Sequence, residues 1–359
     1  MRRHFVFSCL VLEFVACATP ALAQGAAPRE GDFVVHDYRF ASGETLPELR
    51  LHYLTLGSPA RDAKGEISNA VLILHGTGGS GRQFLAPQFA GVLYGPGAPL
   101  DTTRFYLILP DGIGHGRSSK PSDGLHSRFP RYGYADMVEA QRRLVTERLG
   151  VRHLRLVMGT SMGGMHTWMW GAMWPGMMDA LMPLACQPVA IGGRNRLWRD
   201  MAMDAIRSDP EWKGGEYSAP PRAGLRTAID LLLIAGSAPI HMQNSLATRD
   251  TVDRYLQNQL ASRLATTDAN DLLYQLDASR DYDPSAVLSR ITAPVMFVNS
   301  ADDFINPPEL GIAEREIREV KRGRFVLIPA SAETRGHGTH TWAALWKRYL
   351  EELLASSAR

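Results

Sequence analysis

The five residues Gly159-Thr160-Ser161-Met162-Gly163 set a hydroxyl between glycines, an arrangement suited to nucleophilic acyl chemistry. A short apolar run from Leu154 leads into them and Met165-His166-Thr167-Trp168 leads away, so Ser161 stands where a strand turns abruptly into a helix. At such an elbow the central residue is strained, and its neighbours must be small for strand and helix to approach. Gly159 and Gly163 meet that demand. The amide of Met162 then lies at a helix N-terminus, where it can stabilise a developing oxyanion.

A free hydroxyl is a weak nucleophile at neutral pH, so Ser161 needs a base. Around such an elbow the chain order is serine, acid, histidine, with the acid after a late strand and the histidine after the last one. The segment Ser300-Ala301-Asp302-Asp303-Phe304-Ile305-Asn306-Pro307 follows an apolar run, Val295 to Asn299. Asp303, four residues before Pro307, is the preferred acid, and Asp302 is the alternative. After Phe325 to Ile328 comes Gly336-His337-Gly338-Thr339-His340. His337 is the preferred base because its glycines let a loop carry the ring to the serine; His340 is the alternative. His337 would accept the hydroxyl proton, and Asp303 would hold its tautomer.

The loop His75-Gly76-Thr77-Gly78-Gly79-Ser80-Gly81 matches G-x-G-x-x-G, the dinucleotide fingerprint. Two strands precede it, and the nearest suitable acid, Asp101, comes before the next strand instead of ending it. Neither cofactor nor metal is therefore expected, and the loop is read as presenting the Thr77 amide as second oxyanion donor. His115 reads as a structural corner, Cys186 as a small core residue, and the methionines and tryptophans of the helix after the elbow as packing.

These groups need a scaffold. Phe33 to Phe40 and Leu49 to Leu56 read as a leading hairpin; Asn69 to Leu74, Phe105 to Leu109, the elbow strand, Ala180 to Ala185, Val295 to Asn299 and Phe325 to Ile328 read as further strands. Helices are expected over Tyr134 to Leu149, after the elbow, and from about Thr341 to Leu354. This alternation predicts an α/β fold with a mostly parallel sheet covered on both faces. From Gln187 to Ser289 the strand pattern stops, and helical segments (Arg196 to Arg207, Gly224 to Ala235, Thr251 to Leu264) predict a cap. The expected division is residues 24–186 and 290–359 for the core and 187–289 for the cap.

At 359 residues the chain can bury a large core, and a net charge of +2 without a basic stripe argues against nucleic acid. Residues Met1 to Ala23 combine Arg2-Arg3, an apolar stretch too short and too interrupted to anchor in a membrane, and Ala21-Leu22-Ala23. They read as a cleavable export signal, by either the general or the twin-arginine route, which places the mature chain in the periplasm or outside the cell. Cys9 and Cys17 would leave with it, and Cys186 alone could form no intramolecular disulfide.

The segments Asn69 to His75, Gly95-Pro96-Gly97 through Leu100-Asp101-Thr102, Ser161 to Met165, Ala205-Ile206 through Asp209-Pro210-Glu211-Trp212 to Gly214-Gly215-Glu216-Tyr217, Asp303 to Glu309 and Gly336-His337 together resemble the homoserine O-acetyltransferase family. The likeness covers most of the mature chain. It implies an α/β-hydrolase fold, a helical cap, the triad above and a dimer formed through the caps. Two substrate-binding positions depart from the family: Met203 stands where it has a carboxylate-gripping arginine, and Gly338 where an aspartate meets the substrate amine. Each lost ion pair would cost about 2 to 5 kcal/mol in a desolvated pocket. An exported chain would also lack acetyl-CoA, so water is the expected acyl acceptor. The sequence thus points to an exported serine hydrolase acting on a small carboxylic ester, with acyl transfer of the homoserine O-acetyltransferase type as the alternative.

Overall fold

The computed structural model describes residues 27–357; the expected export signal lies outside them. The strands are β1 (Arg29–Arg39), β2 (Thr45–Leu56), β3 (Ala70–Leu74), β4 (Tyr106–Pro110), β5 (Leu156–Thr160), β6 (Leu181–Leu184), β7 (Val295–Ser300) and β8 (Gly323–Ile328). They form one sheet in the order β1-β2-β4-β3-β5-β6-β7-β8. β1 and β2 pair antiparallel, as do β2 and β4, and every other pairing is parallel. All residues of β3 to β7 are buried, as parallel strands covered on both faces require.

The helices in chain order are α1 (Pro87–Leu93), α2 (Tyr134–Arg143), α3 (Met162–Met173), α4 (Gly193–Ser208), α5 (Arg222–Ala235), α6 (Pro239–Ser245), α7 (Arg249–Thr266), α8 (Ala269–Asp277), α9 (Ile312–Glu316) and α10 (Lys347–Ser356). Alternation along β3 explains the layering. Leu72 and Leu74 join Met137 of α2 and Trp168 of α3 in one core, whereas Val71 and Ile73 join Phe89 of α1 and Leu350 of α10 in another. Helices α4 to α8 all fall between β6 and β7, and α4, α5, α7 and α8 build a third core of their own around Trp198, Ile206, Leu225 and Leu272.

Two expected helices differ. The one beginning at Tyr134 is α-helical only to Arg143, then widens into a π turn over Leu144–Arg148 closed by Leu149 N–H to the Leu144 carbonyl at 3.1 Å. The last helix starts at Lys347, not Thr341, because the preceding residues are folded into 3₁₀ turns. Thr339 Oγ1 accepts the Arg335 amide at 2.8 Å, and the Trp346 indole donates to the His340 carbonyl at 3.2 Å. Helices α1, α6, α8 and α9 are not among those the sequence pattern marks. Asp268 caps α8 by accepting from the amides of Asn270 and Asp271. Among the described residues no single helix is long and apolar enough to cross a membrane.

Candidate active site

Ser161 follows β5 and caps α3 with φ 55° and ψ −115°, a backbone state costing a non-glycine residue about 1 to 3 kcal/mol. Its amide donates to the Leu184 carbonyl at 2.9 Å, which holds the turn against β6. A Cβ on Gly159 would lie 2.1 Å from the Gly163 carbonyl oxygen, and one on Gly163 would lie 2.0 Å from that of Leu74. No side chain fits at either position, so the two glycines are the steric condition for the serine's placement.

Ser161 Oγ lies 2.8 Å from His337 Nε2, and His337 Nδ1 lies 3.1 and 3.0 Å from the two carboxylate oxygens of Asp303. Asp303 and His337 are buried. Burial works to raise the Asp303 carboxyl, but the facing imidazole and the hydrogen bonds from His337 and Asn306 outweigh it and hold the group below the usual carboxylate value. An ionised Asp303 only accepts, so it fixes the proton on Nδ1 and leaves the Nε2 lone pair toward the serine. The amides of Ile305 and Asn306 donate to Asp303 Oδ1 at 2.8 and 3.1 Å, and Asn306 Nδ2 donates to Oδ2 at 3.1 Å. The same Asn306 amide reaches the carbonyl of Ala185, a residue at φ 51°, at 2.9 Å.

The loop before α1 brings Thr77 to the same edge of the sheet. A Cβ on Gly76 would lie 3.3 Å from the Ser161 Cβ, so glycine lets this loop run directly beside the nucleophile. Among the described residues, neither the Thr77 nor the Met162 amide donates to a protein acceptor. A cavity of about 820 Å³ opens onto Thr77, Ser161 and His337 beneath the helical block, whose Trp198, Ile229 and Leu272 form its apolar wall. A neighbouring cavity of about 650 Å³ shares Ile305 with it and reaches Met165 and Leu310.

The structure brings together all five preferred residues, and it gives the alternatives other tasks. Asp302 Oδ2 accepts from Thr334 Oγ1 at 2.7 Å and from the Gly336 amide at 3.2 Å, and so ties down the loop that carries His337. His340 packs against the His337 ring at 5.2 Å and is pushed down to about 3 by burial, so it stays neutral. His115 is buried, with Nδ1 against the Ile113 carbonyl at 2.9 Å. Trp168 and Trp170 are fully buried core residues, and burial raises the Cys186 thiol out of nucleophilic range. Met203 belongs to the core of the helical block. Sequence reasoning passed over Asn306, although a side-chain amide three residues after the acid was a signal for it. It also passed over Thr334 and the buried Arg199, for which position along the chain gives none.

A Ser–His–Asp hydrogen-bonded chain at the C-terminal edge of a mostly parallel sheet, under a helical block, is the architecture of an α/β-hydrolase, and a family profile described as the alpha/beta hydrolase fold matches residues 69–332. A probable acyltransferase of Methanothermobacter thermautotrophicus is 32% identical over 279 residues, covering 77% of this chain and 84% of the relative. A homoserine O-acetyltransferase of Thermobifida fusca is 31% identical over 335 residues, covering 80% and 86%. The crystal structure of an acetylester hydrolase from Corynebacterium glutamicum superposes with a TM-score of 0.79 at 22% identity, covering 91% of this chain and 96% of that one. The chain belongs to the homoserine O-acetyltransferase-like family of α/β-hydrolases.

Proposed function

We propose that the protein hydrolyses a carboxylic ester through an acyl-enzyme on Ser161. The observation that carries this reading is the unbroken chain from Ser161 Oγ to His337 at 2.8 Å and on to Asp303 at 3.0 Å. His337 Nε2 takes the hydroxyl proton as Oγ attacks the carbonyl carbon, and the amides of Thr77 and Met162 receive the negative oxygen. Collapse of the tetrahedral species breaks the C–O bond, and His337 returns the proton to the departing alcohol. Water then attacks the acyl carbonyl and gives its proton to His337, and as the second tetrahedral species breaks its bond to Ser161 Oγ, His337 passes that proton to the departing serine oxygen and the acid is released.

Water is favoured over an amino-acid acceptor because Met203 is packed in the block's core and residue 338 has no side chain. Neither position can hold a substrate charge. Replacement of Ser161 by alanine should abolish turnover of 4-nitrophenyl acetate while leaving the circular-dichroism spectrum unchanged; unaltered turnover would remove the assignment. Acetyl transfer to added homoserine outrunning hydrolysis in the native protein would instead favour the transferase reading.

A further inference from the structure

Arg199 of α4 is 2% exposed and lines the cavity that holds Ser161. Its Nε donates to Asn195 Oδ1 at 3.0 Å and its guanidinium lies 4.8 Å from the centre of the Trp198 ring, but Nη1 is buried without a partner. Burial opposes its charge, and the neighbouring ionisable groups that bear on it are Tyr134 and another cation, Arg196; among the described residues no carboxylate lies within ion-pairing distance. Arginine does not escape by losing its proton, so a buried cation is left without a counter-charge.

Two more buried polar atoms are unsatisfied nearby. The Tyr134 hydroxyl lies close to those of Thr77 and Ser279, yet neither it nor Thr77 Oγ1 makes a hydrogen bond of good geometry. The carboxylates that do line the cavity are taken up elsewhere: Asp268 by the Tyr217 hydroxyl and the start of α8, Asp271 by Ser122. Of these groups Arg199 and Thr77 line the cavity, and buried polar groups left without partners beside a cavity mark a place where something else binds.

We propose that Arg199, with the hydroxyl of Thr77, is an anion subsite that receives a carboxylate carried by the substrate, so that the preferred esters are anionic. This rests on the hydrolase reading above and narrows its substrate class. The carboxylate can sit on the acyl side or on the alcohol side of the ester, and the subsite chemistry is the same for both.

The test compares each carboxylate ester with its neutral amide isostere: monoethyl glutarate against ethyl 4-carbamoylbutanoate for the acyl side, and 4-acetoxybutanoate against 4-acetoxybutanamide for the alcohol side. In at least one pair kcat/KM should favour the anion by about thirtyfold or more, the scale of a desolvated charge pair, and Arg199→Met should bring that ratio close to one, with Arg199→Lys retaining part of it. A native ratio near one in both pairs, or a ratio that survives Arg199→Met, overturns the subsite. Thermal unfolding gives a readout independent of turnover. Without ligand Arg199→Met should melt a few degrees higher than the native protein, whereas loss of a merely structural arginine would lower the midpoint. Glutarate should raise the midpoint of the native protein and not that of the variant; if Arg199→Met does not fold, the absence of a glutarate shift in the native protein overturns the proposal. Turnover of the amide esters that depends on Ser161 establishes the hydrolase reading separately, so the two can fail independently.

Discussion

Asp303 carries its charge almost out of reach of water, and that charge is what makes the neighbouring imidazole a base. Asp303→Asn leaves the geometry but lets Nδ1 lose its proton, so kcat for an ester should fall by about 10⁴-fold with little change in the circular-dichroism spectrum. The same carboxylate links stability to pH. Burial raises its pKa, the interactions with His337 and Asn306 lower it further, and the folded value ends below the unfolded one. On acidification the unfolded chain takes up the proton first, so this contribution is complete above about pH 4 and is lost as the pH falls through the lower folded value. The difference in melting temperature between the native protein and Asp303→Asn should therefore narrow below that pH; a widening gap would contradict the sign. Spacing to Pro307 prefers Asp303 over Asp302, and it is Asp303 that faces His337 Nδ1. The turn closed by Ile305 and Asn306 folds its amides onto Asp303, while Asp302 points the other way, toward Thr334.

At the scale of elements, the elbow was legible because its requirements are local: a buried strand, two residues without side chains and a helix start. Gly163→Ala should destabilise by about 3 kcal/mol or more, since the added carbon meets the Leu74 carbonyl, which cannot move without breaking the sheet. Gly91, on α1 with nothing within 4 Å of an added Cβ, should accept alanine with unchanged or slightly higher stability. Urea midpoints of the two variants measure the contrast. The final helix was misplaced for the opposite reason. Apolar spacing from Thr341 onward fits a helix, but hydrogen bonds from Arg335 to Thr339 and from Trp346 to His340 hold the stretch in tighter turns. Such bonds join residues whose approach is decided by the preceding loop, and periodicity does not record them.

For the whole molecule, the mostly parallel sheet with both faces covered follows from strand and helix alternation, whereas the order of its strands does not, and the helical block with its own core lies where the strand pattern stops after Gln187. What the pattern hid is which face of α4 looks down. The rotation of that helix over the nucleophile places Met203 in packing and Arg199 in the cavity, and it depends on contacts with α5 and α8. The export reading is likewise a statement about the full chain. Expressed in a bacterium with its first residues intact, the protein should be recovered from the periplasm with Gln24 as its N-terminus, as intact-mass spectrometry would read; recovery of the uncleaved chain from the cytoplasm would refute it. One contact ties these parts together. A Cβ on Gly336 would lie 2.4 Å from the carbonyl oxygen of Ser237, in the turn between α5 and α6. The strip of chain before His337 is thus wedged beneath the roof of the pocket. A side chain at position 336 would therefore force the roof of the pocket and the histidine-bearing loop apart, and the fit between those two parts hangs on one missing methyl group.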